Sequence, residues 1–207
     1  GIDGDFIPYA NSMLFIFVPS VYNGGSNIAN VYSGLNNFLL PVNHGTKKVD
    51  FRNLLILTGG SDVYELGKVW PNLLIKNLPE EIMINYVKGP FSTPINFKKS
   101  RRNFNIIENC LNLQRVYDNS DVGLTVFGVS FFELLKSGIP TIVYFHEKEK
   151  FINEIEFIKS NNLALVAFSN KEVLKNLNIL IKNNKIRKKM SLNSLEKFRI
   201  NGEDTFL

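Results

Sequence analysis

The chain has 207 residues, of which 44% are hydrophobic, and its 24 Lys and Arg against 19 Asp and Glu give a formal net charge of +5. This length and apolar content suffice for a hydrophobic core in one large or two small domains, and they exclude a disordered or collagen-like chain. The single cysteine, Cys110, excludes a disulfide framework, and with two histidines a closed structural zinc site is not expected. We expect a protein of the reducing cytoplasm.

The first 48 residues differ in composition from the rest of the chain. They carry no Lys or Arg before Lys47 and are rich in Asn, Gly, Ser and Tyr. Strands are predicted at 14–18 and 38–42, joined by a long irregular stretch. We predict that residues 1–48 are the tail of a preceding domain followed by a linker containing a solvated His44. Because the chain neither begins with Met nor shows a signal peptide, we expect it to start within a longer protein.

From residue 53 onward, continuous apolar runs alternate with helical patterns. The predicted strands are 53–58, 82–88, 104–108, 122–126, 141–145 and 163–168. The predicted helices are the stretch ending at 77, then 111–119, 131–137, 148–159, 171–181 and 185–199. Strands that are apolar throughout and separated by helices indicate a parallel sheet covered on both faces. Right-handed crossovers then give residues 49–207 a Rossmann-like, doubly wound α/β fold.

Ligands of such a sheet bind beyond the carboxyl ends of the strands, so each strand-to-helix junction is a candidate site. The first junction, residues 58–62, reads Thr-Gly-Gly-Ser-Asp. Its glycines, Gly59 and Gly60, allow the backbone to turn tightly and approach a ligand, and Ser61 or Asp62 is placed to cap the next helix. The turn is neither a Walker loop nor a G-x-G-x-x-G motif. A purely structural turn remains the alternative.

The second junction, residues 127–133, reads Phe-Gly-Val-Ser-Phe-Phe-Glu. Ser130 and Glu133 have the S-x-x-E spacing of a capping box, which accounts for both side chains without any ligand. In the other interpretation, the N–H groups at the start of the helix bind a diphosphate and Glu133 accepts hydrogen bonds from a ribose diol. The spacing alone leaves both open.

Several segments, taken in order, resemble the C-terminal half of GT-B nucleotide-sugar enzymes. They are the Gly-Gly-Ser-Asp turn, Val-Lys-Gly-Pro at 87–90, Asp-Val-Gly-Leu-Thr-Val-Phe-Gly at 121–128 and Glu-Leu-Leu-Lys-Ser-Gly-Ile-Pro at 133–140. The chain is most similar to the UDP-sugar hydrolases of pseudaminic acid biosynthesis and their spore-coat polysaccharide glycosyltransferase-like relatives. Its ending, with Arg-Lys-Lys-Met at 187–190 and Asn-Gly at 201–202, also resembles theirs.

The resemblance implies a UDP-sugar bound in a cleft between two Rossmann domains, with no metal or other cofactor. The reaction would be hydrolysis, or transfer to a sugar or lipid-linked acceptor, in surface-polysaccharide or nonulosonic acid synthesis. The family's hydrolytic histidine belongs to the other domain, so no catalytic residue is assigned here. The residues that the resemblance implies for binding are Gly128 and Ser130 for the diphosphate, Glu133 for the ribose, the backbone of Ile107 for uracil, Gly59, Gly60 and Ser61 in the same cleft, and Asn153 in place of the family's Gln-Asn element. His146 is a further candidate by position, because it directly follows the predicted strand 141–145 at the ligand end of the sheet. An exposed or capping histidine is the alternative.

The phosphate turn departs from the family pattern. The family has Gly-Gly-Ser-Thr-Thr where this chain has Phe-Gly-Val-Ser-Phe at 127–131. The alternative function is therefore a non-catalytic partner or membrane-docking module of a glycan-synthesis complex. Its basic clusters, at 98–102 and 182–189, would then contact acidic lipid or another chain, and otherwise they are solvated. Nucleic-acid binding is not expected, and Cys110 is predicted to be inert core.

Overall fold

The computed structural model describes residues 51–92, 94–95, 103–110 and 112–198, together with the backbone of two short strands. These are β1 (Ile16–Val18) and β2 (Val31–Ser33), which pair in parallel with Ile16 opposite Val31. The prediction of β1 is confirmed, whereas β2 was expected to be irregular chain. The predicted strand at 38–42, His44 and the basic cluster at 98–102 lie outside the described residues.

The main body is one parallel sheet of six strands with helices on both faces. Its strands are β3 (Asn53–Leu57), β4 (Met83–Val87), β5 (Phe104–Ile107), β6 (Val122–Val126), β7 (Thr141–Tyr144) and β8 (Ala164–Ala167). Its helices are α1 (Trp70–Asn77), α2 (Gln114–Asp118), α3 (Val129–Lys136), α4 (Ile152–Ser160), α5 (Asn170–Lys182) and α6 (Asn184–Lys197). The predicted Rossmann-like fold is confirmed.

The strand order is β5-β4-β3-β6-β7-β8, so β3 lies in the middle between β4 and β6. Strands β4 and β5 extend the sheet on one side of β3, and strands β6, β7 and β8 extend it on the other. This reversal leaves a crevice between the carboxyl ends of β3 and β6, where sheets of this order bind ligands.

The core lies on both faces of the sheet. Residues 54–57 of β3 are all buried, as expected for a strand covered on both sides. The larger apolar cluster includes Trp70, which is fully buried, and a smaller cluster on the opposite face surrounds Tyr117. The Trp70 Nε1 donates to Asn170 Oδ1 at 3.1 Å, which connects α1 with α5.

Several helix starts differ from their predictions, that of α2 by three residues and that of α4 by four. The helix after the first junction begins only at Trp70, because Asp62 and Glu65 adopt positive φ angles of 47° and 52° and a 3-10 turn at Leu66–Lys68 intervenes. Helix α3 begins two residues earlier than predicted, at Val129. It stops where the sequence predicted, because Gly138 has a φ of 64° and the Ile139 N–H donates to the Leu134 carbonyl at 3.0 Å.

One basic residue of the 182–189 cluster is not solvated. The Arg187 side chain is buried, and its guanidinium donates to the carbonyl oxygens of Leu180 and Ile181 at the end of α5. This cation therefore caps a helix C-terminus, where the helix dipole favours positive charge. Within the part of the chain that is described, no helix combines the length and the apolar character needed to cross a bilayer.

Candidate functional site

A buried carboxylate shapes the turn after β3. Asp62 is 3% exposed and accepts hydrogen bonds from the N–H groups of Leu66 at 3.0 Å and Gly67 at 2.7 Å. Burial raises the pKa of this carboxyl above its usual range. Helix α1 has no side-chain cap, so the predicted cap is not formed there: Asp62 instead binds the 3-10 turn before α1, and Ser61 is exposed.

A buried pair of hydroxyl groups connects the start of the same turn with strand β4. Thr58 Oγ1 lies 2.8 Å from the hydroxyl of Tyr86 on β4. Burial raises the pKa of Tyr86 to about 12, so the phenol stays protonated at neutral pH. The first junction is thus positioned by contacts between β3 and β4.

Glycine allows the loops after β3 and β4 to touch backbone to backbone. A Cβ placed on Gly89 would lie 2.4 Å from the carbonyl oxygens of both Gly59 and Gly60. The Phe91 N–H donates to the Gly60 carbonyl at 2.9 Å across the same contact. No other residue fits at position 89 without moving one of these loops.

A cleft of about 310 Å³ opens at this edge of the sheet. Its walls come from the junctions after β3, β4 and β5 and from the first turn of α3. Gly59, Gly60 and Ser130, three of the residues predicted from the sequence, line it together. The cleft thus lies beside the reversal of strand order, and its volume is within the range typical of small-molecule sites.

Three glycines leave open space where a side chain would stand. A Cβ placed on Gly59, Gly60 or Gly128 would meet no heavy atom within 4 Å. Gly89 differs, because a Cβ placed on it would collide with the backbone of Gly59 and Gly60. Open glycine backbone beside a helix N-terminus is the arrangement that brings N–H groups close to an anionic ligand.

The predicted capping box of α3 does not form. Gly128 occupies the N-cap position, no side chain caps the helix, and Ser130 already lies inside the first turn. The capping-box interpretation is therefore wrong: the helix starts at Val129, and Ser130 lies two residues after the N-cap position. Ser130 is instead among the residues that line the cleft.

Glu133 is engaged by the neighbouring helix α2. Its Oε2 accepts a hydrogen bond from the Tyr117 hydroxyl at 2.9 Å. Burial, followed by the charge of this carboxylate, raises the pKa of Tyr117. Glu133 is half-buried and is not among the residues that line the cleft.

Three other predicted residues lie away from the cleft lining. The carbonyl of Ile107 accepts from the Lys88 N–H at 2.9 Å as part of the β4–β5 ladder. His146 is exposed after β7 and stacks on Tyr64, with ring centroids 4.5 Å apart. Asn153 is exposed on α4. The roles predicted for them stay predictions.

The phenylalanine of the turn after β6 points into an aromatic cluster. Phe127 stacks on Phe145 with centroids 5.0 Å apart and also contacts Phe131, Phe132 and Phe151. This cluster occupies the carboxyl edge next to β7. The departure from the family pattern at this position therefore adds core contacts rather than a group facing the cleft.

Among the cleft-lining residues that were not predicted from the sequence are Lys88 and Cys110. Lys88 follows β4 directly, and its Nζ forms an ion pair with Glu108 Oε1 at 2.8 Å. Cys110 also lines the cleft and is only partly buried, with its Sγ donating to the Asn112 carbonyl at 3.2 Å, so the prediction of inert core is wrong. The available signal was position: each follows the carboxyl end of a parallel strand.

Over the described ranges, no cluster of three or more His, Cys, Asp or Glu side chains is arranged to hold a metal ion. The residues that line the cleft include five with polar or charged side chains, Thr58, Lys88, Asn109, Cys110 and Ser130, and several with accessible backbone at the glycines. The donors among these groups suit an anionic ligand with an uncharged, hydrogen-bonding remainder.

Comparison with solved structures relates this architecture to known proteins. WaaG, a glycosyltransferase involved in lipopolysaccharide biosynthesis, matches with a TM-score of 0.57 and 17% identity over 77% of this chain and 47% of its own. TarM matches with a TM-score of 0.59 and 12% identity over 98% of this chain and 44% of its own. The fold is that of a GT-B glycosyltransferase domain. MurG from Acinetobacter baumannii, with a TM-score of 0.60 and 14% identity, matches over 95% of this chain and 67% of its own.

The chain spans about half the length of WaaG, of TarM and of the kitacinnamycin glycosyltransferase. One structure of a Staphylococcus aureus TarM variant was determined with fondaparinux, α-GlcNAc-glycerol and UDP, and it matches with a TM-score of 0.58 at 12% identity. No family model and no curated protein sequence matches this chain.

Proposed function

We propose that this chain is the sugar-nucleotide-binding domain of a GT-B enzyme and that its cleft takes the UDP part of a UDP-sugar. The observation that carries the proposal is the cleft itself, which combines the open glycines Gly59 and Gly60 with the uncapped N-terminus of α3 at the reversal of strand order. The fold that the chain shares with glycosyltransferase structures supports the proposal, and one of those structures, of a TarM variant, was determined with UDP.

In this proposal the diphosphate lies against the first turn of α3. The N–H groups at the start of that helix and the positive end of its dipole offset the phosphate charge, and the Ser130 hydroxyl adds a donor from the cleft wall. The uracil lies toward the end of β5, near Ile107. Such binding stabilises UDP as a leaving group when the bond between sugar and diphosphate breaks.

The finer assignment rests on the sequence motifs. The Gly-Gly-Ser-Asp turn and the Glu-Leu-Leu-Lys-Ser-Gly-Ile-Pro segment favour a UDP-sugar hydrolase or transferase of surface-polysaccharide or nonulosonic acid synthesis, acting with water or with a sugar or lipid-linked acceptor. A WaaG-like fold in lipopolysaccharide synthesis is consistent with this class of pathway.

Thermal unfolding with added nucleotides tests the proposal. UDP at a hundred times its dissociation constant should stabilise the protein by about 2.7 kcal/mol, and CMP should stabilise it less. Gly60→Leu, which fills the open space of the cleft, should abolish the shift, whereas Asn178→Leu at an exposed position of α5 should retain it. A flat response of the wild type to UDP and UDP-sugars would contradict the proposal and favour the non-catalytic module.

A further inference from the structure

One charged side chain stands in the wall of the cleft. Of the described residues that line it, Lys88 alone carries a formal charge at neutral pH. Its backbone is fixed by the β4–β5 ladder, through the bond from the Lys88 N–H to the Ile107 carbonyl at 2.9 Å. Its ammonium group is therefore tethered to a rigid strand end, and only the side chain is able to move.

The ammonium group is held at the cleft by an ion pair. Lys88 Nζ lies 2.8 Å from Glu108 Oε1, and the two side chains are 27% and 54% exposed. Glu108 follows β5 and does not itself line the cleft. Exposed pairs of this kind contribute only about 0–1 kcal/mol, so the lysine changes partner at little cost.

We propose that Lys88 recognises the diphosphate of the nucleotide and that Glu108 is its competing partner in the absence of ligand. This inference rests on the proposed function. A diphosphate offers Lys88 more acceptor oxygens and more negative charge than one carboxylate does. On binding, the ammonium moves from Glu108 to the phosphate oxygens, so the two residues have opposite effects on affinity.

A second ion pair of the chain provides a matched control. Lys68 Nζ lies 2.5 Å from Glu65 Oε1, the side chains are 47% and 57% exposed, and neither residue lines the cleft. The two pairs have the same chemistry and differ in whether their lysine stands in the cleft wall. Any effect confined to the Lys88 pair is therefore an effect at the cleft.

The experiment is calorimetric titration of wild type and variants with UDP and with uridine, which lacks the diphosphate. Lys88→Met should weaken UDP binding about tenfold and leave uridine binding unchanged, since it removes one charge-assisted contact. Glu108→Gln should strengthen UDP binding by roughly two- to fivefold, because the carboxylate no longer competes. Lys68→Met and Glu65→Gln should leave both affinities within about twofold. Lys88→Arg, which keeps the charge, should restore most of the UDP affinity.

The outcomes separate this inference from the proposed function. If the wild type binds UDP and Lys88→Met binds it equally well, the role of Lys88 is overturned while the UDP site stands. If Glu108→Gln weakens UDP binding, Glu108 does not compete and that half of the inference is overturned. If the wild type binds no UDP, the proposed function is overturned, and the role of Lys88 in diphosphate recognition is overturned with it. Equal loss of UDP and uridine affinity in Lys88→Met would indicate a structural effect and would also overturn the role in diphosphate recognition.

Discussion

Glu133 and Asp62 both follow strands of the sheet, but their carboxylates have different surroundings. Glu133 is half-buried and accepts from the hydroxyl of the buried Tyr117, whereas Asp62 is itself buried and accepts from two backbone N–H groups. A carboxylate with exposed area can still exchange its partner for a ligand, and one that holds a turn cannot do so without loosening that turn.

The role of Glu133 is tested by a pair of substitutions. If its carboxylate accepts from a ribose diol, Glu133→Gln should weaken UDP binding about ten- to a hundredfold with little change in melting temperature. Tyr117→Phe keeps the carboxylate and removes its donor, so it should lower the free energy of unfolding by about 1–2 kcal/mol. Isothermal titration and melting curves of both variants give the result. Equal UDP affinities of Glu133→Gln and wild type would remove Glu133 from the site.

Asp62 should make stability depend on pH. Because burial raises its pKa in the folded state, the folded protein binds this proton more tightly than the unfolded chain does. The stabilisation from the proton is fully present below the ordinary value of 3.8 and is lost as the pH rises through the raised pKa. The free energy of unfolding of wild type minus that of Asp62→Asn should therefore decrease as the pH rises through this window. Urea unfolding at several pH values measures it, and a carboxyl titration by NMR with its midpoint below 3.8 would refute it.

At the scale of elements, the two loops after β3 and β4 act as one unit. Their contact is made of backbone atoms, with Gly89 against the carbonyls of Gly59 and Gly60 and the Phe91 N–H bonded to Gly60. Backbone contacts do not adapt by changing rotamers, so the shape of this wall of the cleft depends on position 89 remaining glycine.

Two alanine substitutions distinguish packing from open space at this contact. Gly89→Ala should lower the free energy of unfolding by about 2–3 kcal/mol, since its Cβ would overlap two carbonyl oxygens. Gly60→Ala should change it by less than about 0.5 kcal/mol, since its Cβ meets nothing within 4 Å. Denaturant unfolding of the two proteins is the measurement. Similar stabilities would mean that the loops separate easily and do not form a fixed wall.

Helix starts show how far local sequence signals reach. The stop of α3 at Gly138 could be predicted because a left-handed C-terminal residue is a local requirement. Its start could not be predicted from the S-x-x-E pattern, because α3 begins at Val129 and leaves Ser130 lining the cleft. Two starting points a few residues apart satisfy the same local preferences, so the local sequence does not decide between them.

At the scale of the whole molecule, the β3–β6 ladder joins the two halves of the sheet, and a contact made by Trp70 between helices of the two halves is easily observed. Trp70, the single tryptophan of the chain, lies on α1 beside the β3 half and donates to Asn170 on α5, beside the β8 half. Its ring also meets Tyr144 edge to face at 5.7 Å. Tryptophan fluorescence therefore reports whether the two halves unfold together.

Asn170→Ala should lower the free energy of unfolding by about 1–2 kcal/mol, because it leaves the buried indole N–H without its acceptor. Asn178→Ala, at an exposed position of the same helix, should have little effect. In wild type, the urea transitions followed by tryptophan emission and by far-UV circular dichroism should coincide if the sheet is one cooperative unit. Separate midpoints would show that the halves unfold independently.

Alternating apolar runs and helical patterns by themselves determined the parallel, doubly wound sheet, because a strand buried on both faces needs an unbroken run of apolar residues. The glycines Gly59, Gly60 and Gly128 likewise marked two junctions where the backbone borders open space. Only the tertiary structure decided which junctions share a cleft, since the order β5-β4-β3-β6 brings Lys88 and Cys110 to the same wall as Ser130. The tertiary structure also decided which groups the side chains of Glu133, His146 and Arg187 contact. The physical reason is range: periodicity and turn chemistry act between neighbours in the chain, whereas strand order and side-chain partners come from contacts between distant residues.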